Sequence, residues 1–291
     1  MKLTKAQRKR HELAVELIHS YEPGKHRDAW IECPYCHGAE GGCDECPGGQ
    51  ITAADFIFDA FHPGAFGRTD IAATFFTPRR DARSVAQAHG GTGRVLEPTA
   101  GIGVCAHALM EYLDPFNRRA PIQLVCVEIV KDFVEIGRRL VPEADWICGN
   151  IFDVLPTLGR FDTAIGNPPF GNIPTNQSTT FRSAIHFGIL DAVIPMTEHG
   201  GVFILPRNSV PQADGEEGPA NYRRFRNLHR GWEIQRTSWQ LTGGFKCTGA
   251  QCDIFEVARI EGYEPGQEEP EQEEKAAVLE QPTQGELCLA A

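Results

Sequence analysis

The chain contains no uninterrupted apolar run near the roughly 18 to 20 residues that a membrane-spanning helix requires, so no segment is expected to cross a bilayer. Its basic start (Lys2, Lys5, Arg8, Lys9, Arg10) lacks the apolar stretch that follows in a signal peptide. The histidines at 62, 89, 107, 186, 199 and 229 show no spacing of a catalytic triad or a metal site. Six of the ten cysteines are scattered, some inside apolar runs such as LVCVEI (124–129), a usage that suits buried thiols in a reducing compartment. A soluble, cytoplasmic protein is the expectation. With 41% apolar and 23% charged residues over 291 positions, disorder does not describe the whole chain.

What charge there is falls unevenly. Residues 261–291 hold nine glutamates and one lysine, which is −8 of the total −11 and leaves −3 for the rest. This Glu/Gln/Pro-rich tail reads as disordered. The first 30 residues carry seven Lys/Arg against four acids, and Arg223, Arg224, Arg226 and Arg230 form a second basic cluster. Such patches can steer a polyanion although the total charge is negative. The Arg-rich stretch reads equally well as a solvated helix face, and Trp232 and Trp239 read as core.

Four organisational units follow: an amphipathic basic helix within 1–30 (Leu13, Leu17 and Ile18 on one side), a Cys/Gly/Pro module at 31–50, a large domain at 51–260, and the tail. The segment 51–93 is mixed, with a Pro-opened helix start in FFTPRRDARSVAQ (75–87). From Arg94, strand candidates at 94–97, 123–128, 145–148, 161–166 and 201–206 alternate with helix candidates at 103–113, 131–140, 180–197 and 219–230. A final antiparallel pair is expected at 233–239 and 252–260. This alternation predicts an α/β fold with a mostly parallel seven-stranded sheet, helices on both faces, and ligands beyond the carboxyl ends of the strands.

Within the module, Cys33-x2-Cys36-x6-Cys43-x2-Cys46 forms two hooks in the repeated phrases CPYCHG and CDECPG. Four thiolates at this spacing can wrap a tetrahedral structural Zn2+, with the glycines relieving the turns; a redox pair is the lesser reading. His37 is then a bystander. The repeat resembles the CxxCxG elements of small zinc ribbons in chaperone and nucleic-acid proteins.

Four strand ends carry the chemistry. Glu97-Pro98-Thr99-Ala100-Gly101-Ile102-Gly103 is a tight turn into a helix, and it lacks the third glycine or Gly-Lys-Ser/Thr ending of a phosphate loop. Its acid fits a cationic or amine-bearing ligand. Glu128 ends the next strand 31 residues later, where a carboxylate can accept both hydroxyls of a ribose. Asn150 could accept from an adenine amine, with Ile151 or Phe152 covering the purine. Asn167-Pro168-Pro169-Phe170 is the sharpest signal: two prolines stop the sheet and fix the Asn side-chain oxygen and the Pro168 carbonyl as acceptors for an exocyclic amine. Phe170 can stack on a flipped base.

In this order, with Thr77-Pro78 upstream, the sequence resembles class I S-adenosylmethionine-dependent methyltransferases, in particular the gamma-class adenine-N6 DNA methyltransferases, over about residues 74–206. The resemblance implies a Rossmann-like fold and S-adenosyl-L-methionine as cofactor. It places Phe76, Thr77, Pro78, Glu97, Pro98, Gly101, Gly103, Glu128, Ile129, Asn150 and Ile151 at the cofactor, Asn150 standing where the family commonly has Asp. It makes Asn167, Pro168, Pro169 and Phe170 catalytic and implies DNA as substrate, in a restriction-modification setting. RNA base amines and protein glutamine are alternatives, as is a non-catalytic zinc-bearing nucleic-acid binder. The family's sizeable target-recognition domain is not evident; the module before residue 74, the loops 171–180 and 242–251, and the helix 219–230 are left for that task.

Overall fold

The computed structural model describes residues 3–22, 29–43, 46–61, 77–90, 93–113, 122–171, 180–181, 184–212, 216–241 and 251–263. The expected tail beyond 263, Phe76, and most of the loops 171–180 and 242–251 lie outside these residues.

Helix α1 (Lys5–Ser20) opens with a capping box, in which Thr4 and Gln7 satisfy each other's backbone amides through their side chains. At its other end the carbonyls of Ile18 and His19 accept from the Arg139 guanidinium at 3.1 and 3.2 Å, partners for groups the helix leaves orphaned. Strands β1 (Trp30–Glu32) and β4 (Gln50–Thr52) pair antiparallel around a smaller ladder of β2 (Gly42–Cys43) and β3 (Cys46–Pro47). β4 therefore crosses the boundary that the sequence suggests at 50–51. Its last residue, Thr52, accepts from the Asp55 amide and caps helix α2 (Ala53–Ala60), which has no counterpart among the helices expected from sequence.

Helix α3 (Arg79–His89) begins one residue later than Pro-at-N1 logic predicts: Pro78 is the N-cap, and Gly90 in the left-handed region ends the helix. A central sheet follows, made of β5 (Arg94–Glu97), β6 (Gln123–Glu128), β7 (Asp145–Cys148), β8 (Thr163–Gly166), β9 (Gly201–Pro206), β10 (Trp232–Arg236) and β11 (Cys252–Arg259). Their spatial order is β10-β11-β9-β8-β5-β6-β7. Strands β5 to β9 run parallel, and β11 is antiparallel to both its neighbours. The seven-stranded, mostly parallel α/β sheet read from the sequence is what forms.

Consecutive residues of each central strand enter opposite cores, because side chains alternate across a pleated sheet. Val95, Leu124, Cys126, Val202 and Ile204 pack with α1, α2, α3, α4 (Val104–Leu113) and α5 (Lys131–Leu140). Leu96, Val125, Val127, Phe203 and Leu205 pack with α6 (Ile151–Val154), α7 (Ile185–Val193) and α8 (Ala220–Leu228). Both faces are buried, which is why these strands read as near-continuous apolar runs.

The helix expected over 180–197 is shorter: α7 gives way to a 3-10 turn, Ile194–Met196, where Pro195 has no amide to donate. Trp232 is core as expected, whereas Trp239 is 44% exposed, because β10 ends at Arg236 and the chain leaves the sheet before reaching it. Among the described residues no helix is long and apolar enough to cross a membrane.

The sheet starts in its middle. From β5 the chain builds outward through β6 and β7, then returns to β5's other side with β8. Crossovers on the two sides diverge there, which leaves a crevice beyond the carboxyl ends of β5 and β8.

Candidate active site

At the end of β5, Glu97 is buried and turned toward the first turn of α4, where its Oε2 accepts from the Ala106 amide at 3.0 Å. The thiols of Cys105 and Cys126 lie against the same carboxyl group. Burial pushes Glu97 up to about 8; the Ala106 amide opposes this and the field of Glu128 adds to it. Unfolded, the group titrates near its ordinary 4.5. Between those values the unfolded chain binds fewer protons than the folded one, so stability falls as pH rises through the window and levels off above it. Glu97→Gln keeps an acceptor for Ala106 and removes the titration. The variant is expected to flatten the fall of stability between pH 5 and 8 by up to about 1.4 kcal/mol per pH unit, read from denaturant unfolding against wild type.

The turn after Glu97 needs its glycines. Gly101 and Gly103 both have positive φ, and a Cβ on Gly103 would lie 2.9 Å from the Trp146 ring. The turn is tied to β6 by the Ala100 amide on Val127 O and by the Gly101 amide on Glu128 Oε2 at 2.8 Å. The other Glu128 oxygen accepts from Val130 N at 2.9 Å. Burial raises this carboxyl too. Beside it Ile129 stands 64% exposed, an apolar side chain open to solvent at the end of β6.

From β7 the Gly149 amide donates to the Glu128 carbonyl, which brings Asn150 alongside. Asn150 Oδ1 accepts from Phe152 N and so serves as the N-cap of α6. Ile151 is buried in the second core, and Phe152 is only partly buried.

The end of β8 completes the crevice. Gly166 abuts β5: a Cβ there would lie 3.6 Å from the Pro98 ring. The next residue, Asn167, donates from Nδ2 to Thr77 Oγ1 at 3.1 Å, so the upstream Thr-Pro segment reaches the Asn-Pro-Pro-Phe corner across 90 residues of sequence. Asn167 Oδ1 is buried and has no hydrogen-bond partner among the described residues. An acceptor held in that state is costly to maintain unless something fills it. Pro168 is buried, and Phe170 is partly buried with its ring edge-on to His186 at 6.0 Å and 86°. His186, which its sequence spacing does not single out, has Nε2 at 3.0 Å from Ser209 Oγ; burial lowers it to about 4 and keeps it uncharged at neutral pH.

The crevice thus gathers Thr77, Pro78, Glu97, Pro98, Gly101, Gly103, Glu128, Ile129, Asn150 and Asn167 from five chain segments, with Ile151 behind them.

In the N-terminal module the sulfurs of Cys33, Cys36, Cys43 and Cys46 lie within 4.8 Å of one another, and none is in a disulfide. Thiolates at about 2.3 Å from a tetrahedral zinc ion would be about 3.8 Å apart. The separations are 3.8 Å for Cys33–Cys43, 3.4 Å for Cys36–Cys46 and 3.5 Å for Cys43–Cys46, so the donor set fits such an ion. Backbone turns build the pocket: His37 N donates to Cys33 O at 2.8 Å, and Cys33 N to Gly49 O at 2.9 Å. A Cβ on Gly42 would fall 2.0 Å from the Cys46 carbonyl, so only glycine fits there.

Sheet order and the reversed β11 together define a Rossmann-like methyltransferase fold. No protein-family model and no curated protein sequence matches the chain. Among solved structures it is similar to the methyltransferase subunit of a type I restriction-modification system from Streptococcus thermophilus (14% identity over 71% of this chain and 49% of that one, TM-score 0.49). It is also similar to TrmN from Thermus thermophilus (15%, 62% and 48%, TM-score 0.42). A third is a Listeria monocytogenes protein assigned to the class I S-adenosylmethionine-dependent methyltransferases (10%, 91% and 92%, TM-score 0.48). The chain spans about half the length of the first two.

Proposed function

We propose that this chain is an S-adenosylmethionine-dependent methyltransferase acting on the N6 amine of adenine in DNA. The observation that carries the reading is the unpartnered Asn167 Oδ1 at the carboxyl end of β8, with its amide nitrogen already committed to Thr77. An amide tied through its nitrogen to Thr77 presents its oxygen as a preorganised acceptor, and preorganised dipoles lower barriers without reorganising during the reaction.

When bound, S-adenosylmethionine supplies a methyl group activated by its sulfonium. Glu128 and the exposed Ile129 would hold its nucleoside part, and Glu97, Gly101 and Gly103 would line its methionyl part. Burial disfavours the charged forms of Glu97 and Glu128, and a cation bound beside them would draw both back toward ionisation. Asn167 Oδ1 and the Pro168 carbonyl accept the two amine protons and leave the nitrogen lone pair facing the methyl group. That nitrogen would take the methyl group, with the S–C electron pair left on the cofactor as a thioether, and one amine proton, released from its acceptor oxygen, would pass to solvent. Phe170 stacks on the base, which is turned out of the helix at a cost of a few kcal/mol.

What favours DNA is the Thr77-Pro78 segment preceding the glycine turn and meeting Asn167. Exposed Arg223 and Arg224 on α8 offer phosphate contacts. We also propose that the four-cysteine site holds one structural zinc ion, a reading that free thiols in a cytoplasmic setting support.

Incubation with methyl-labelled cofactor and either unmodified DNA or RNA, followed by nucleoside analysis, tests the proposal. Label in N6-methyldeoxyadenosine is expected. Label only in a ribonucleoside moves the substrate to RNA, and none in either rejects the reading.

A further inference from the structure

A network of charges joins α2, α3 and α4 between the four-cysteine module and the Thr77-Pro78 segment. Arg79, the first residue of α3, is only 11% exposed at its side chain. Its guanidinium holds Asp55 Oδ2 at 2.7 Å and Asp59 Oδ2 at 3.2 Å, two carboxylates one turn apart on the same face of α2. Arg83, one turn further along α3, joins Asp55 at 3.5 Å and Glu111 of α4 at 3.1 Å. Asp55, His107 and Glu111 converge closely enough to suggest a metal site. The guanidinium groups already occupy Asp55 Oδ2 and Glu111 Oε2, so two positive charges stand where a cation would have to bind.

The network connects two places in the fold. Toward the N-terminus, α2 is capped by Thr52, Thr52 is paired to Trp30 in the β1–β4 ladder, and β1 leads directly into Cys33. Phe56 and Ile57 of α2 share a core with Cys33 and Cys46. In the other direction, Arg79 lies two residues after Thr77, whose hydroxyl fixes the Asn167 amide. Resting on the function proposed above, we infer that Arg79 is a positioning residue: it fastens the Thr77-Pro78 turn to α2, and through it the cysteine module holds Asn167 in its working orientation. A carboxylate pair on a rigid helix is well suited to this, since a forked guanidinium bound at two points can neither slide nor rotate. Without Arg79 the N-terminus of α3 keeps its helix but loses its anchor, and Thr77 shifts away from Asn167.

The test compares Arg79→Gln, Arg79→Lys, Thr77→Ala and the Arg79→Gln/Thr77→Ala double variant in the full chain. For Arg79→Gln, kcat is expected to fall roughly tenfold while the Kd for S-adenosylmethionine by calorimetry stays within about threefold, with partial recovery in Arg79→Lys. Because the effect runs through Thr77, the double variant should be no slower than Thr77→Ala alone. An unchanged kcat in Arg79→Gln, or losses that multiply in the double variant, overturns the inference. Should Arg79→Gln not fold, Asp59→Asn leaves the Asp55 contact in place and is expected to lower kcat about threefold; no change there is equally fatal. If wild type transfers no methyl group, the function reading fails by itself. The inference is then decided by the side-chain amide signal of Asn167 in 15N NMR, assigned by its loss in Asn167→Ala. That signal is expected to move in Arg79→Gln and to stay near its wild-type position in Arg79→Lys; an unmoved signal in Arg79→Gln overturns it.

Discussion

Asn167→Ala is expected to lower kcat by roughly 10²- to 10³-fold, the scale of removing one preorganised dipole at a reacting group. Its cofactor affinity should stay within about twofold of wild type, because Glu97 bonds to the Ala106 amide and Glu128 to those of Gly101 and Val130, none of them to Asn167, and Thr77, which does bond to it, keeps its hydroxyl. Alanine removes the Oδ1 acceptor and also the donor to Thr77, so the amine keeps only the Pro168 carbonyl. Asn167→Asp separates the two losses. It retains an acceptor, and the Thr77 hydroxyl can turn to donate to it, so activity between wild type and alanine is expected. Single-turnover transfer and calorimetry measure both quantities. Turnover by Asn167→Ala at the wild-type rate would remove the corner from the mechanism.

The second large effect concerns the cysteine module. Cys46→Ser is expected to abolish binding of one equivalent of zinc per chain and to lower the melting temperature by about 10 °C or more. A hydroxyl is a poor substitute for a thiolate, and in small zinc modules the binding free energy, about 10–16 kcal/mol in isolated peptides, is largely folding free energy. Here the loss spreads, since Cys33 and Cys46 are buried in the core that includes Ala14 of α1, Ile51 of β4 and Phe56 of α2. Strong chelation of the wild type should reproduce the shift, and Cys148→Ser, an exposed cysteine far along the sequence from the module, should not. Elemental analysis showing no zinc, or a melting curve indifferent to Cys46→Ser, rules out the structural metal.

Much of this architecture was legible because its signals are local. The runs QLVCVE and GVFILP are buried on both faces, so their composition alone marks strands. Asn167-Pro168-Pro169-Phe170 is a contiguous phrase, and the four cysteines repeat at short spacing. Helix α2 was not legible, since AADFIFDA is buried on nearly every side and so lacks the one-sided pattern by which a surface helix announces itself. Trp239 misled for the opposite reason: a large aromatic near a strand suggests core, and only the end of β10 at Arg236 leaves it outside. The contacts that assemble the site lie furthest from sequence reasoning. Thr77 with Asn167 and Arg83 with Glu111 are pairings across 90 and 28 residues that no spacing rule reports. Asn150 shows a milder limit, because a side chain read as facing a base is also the residue that starts a helix.

The reversed strand one place in from the sheet's edge carries a consequence for how the chain is made. Among the described strands β10 touches the rest of the sheet only through β11, which slots between it and β9 and follows both of them in the chain. Until Cys252–Arg259 emerges, both Gly201–Pro206 and Trp232–Arg236 present raw hydrogen-bonding edges. The nascent polypeptide therefore cannot complete its sheet during synthesis of the earlier strands, and any C-terminal truncation upstream of Cys252 would leave two sticky margins in place of one closed seam.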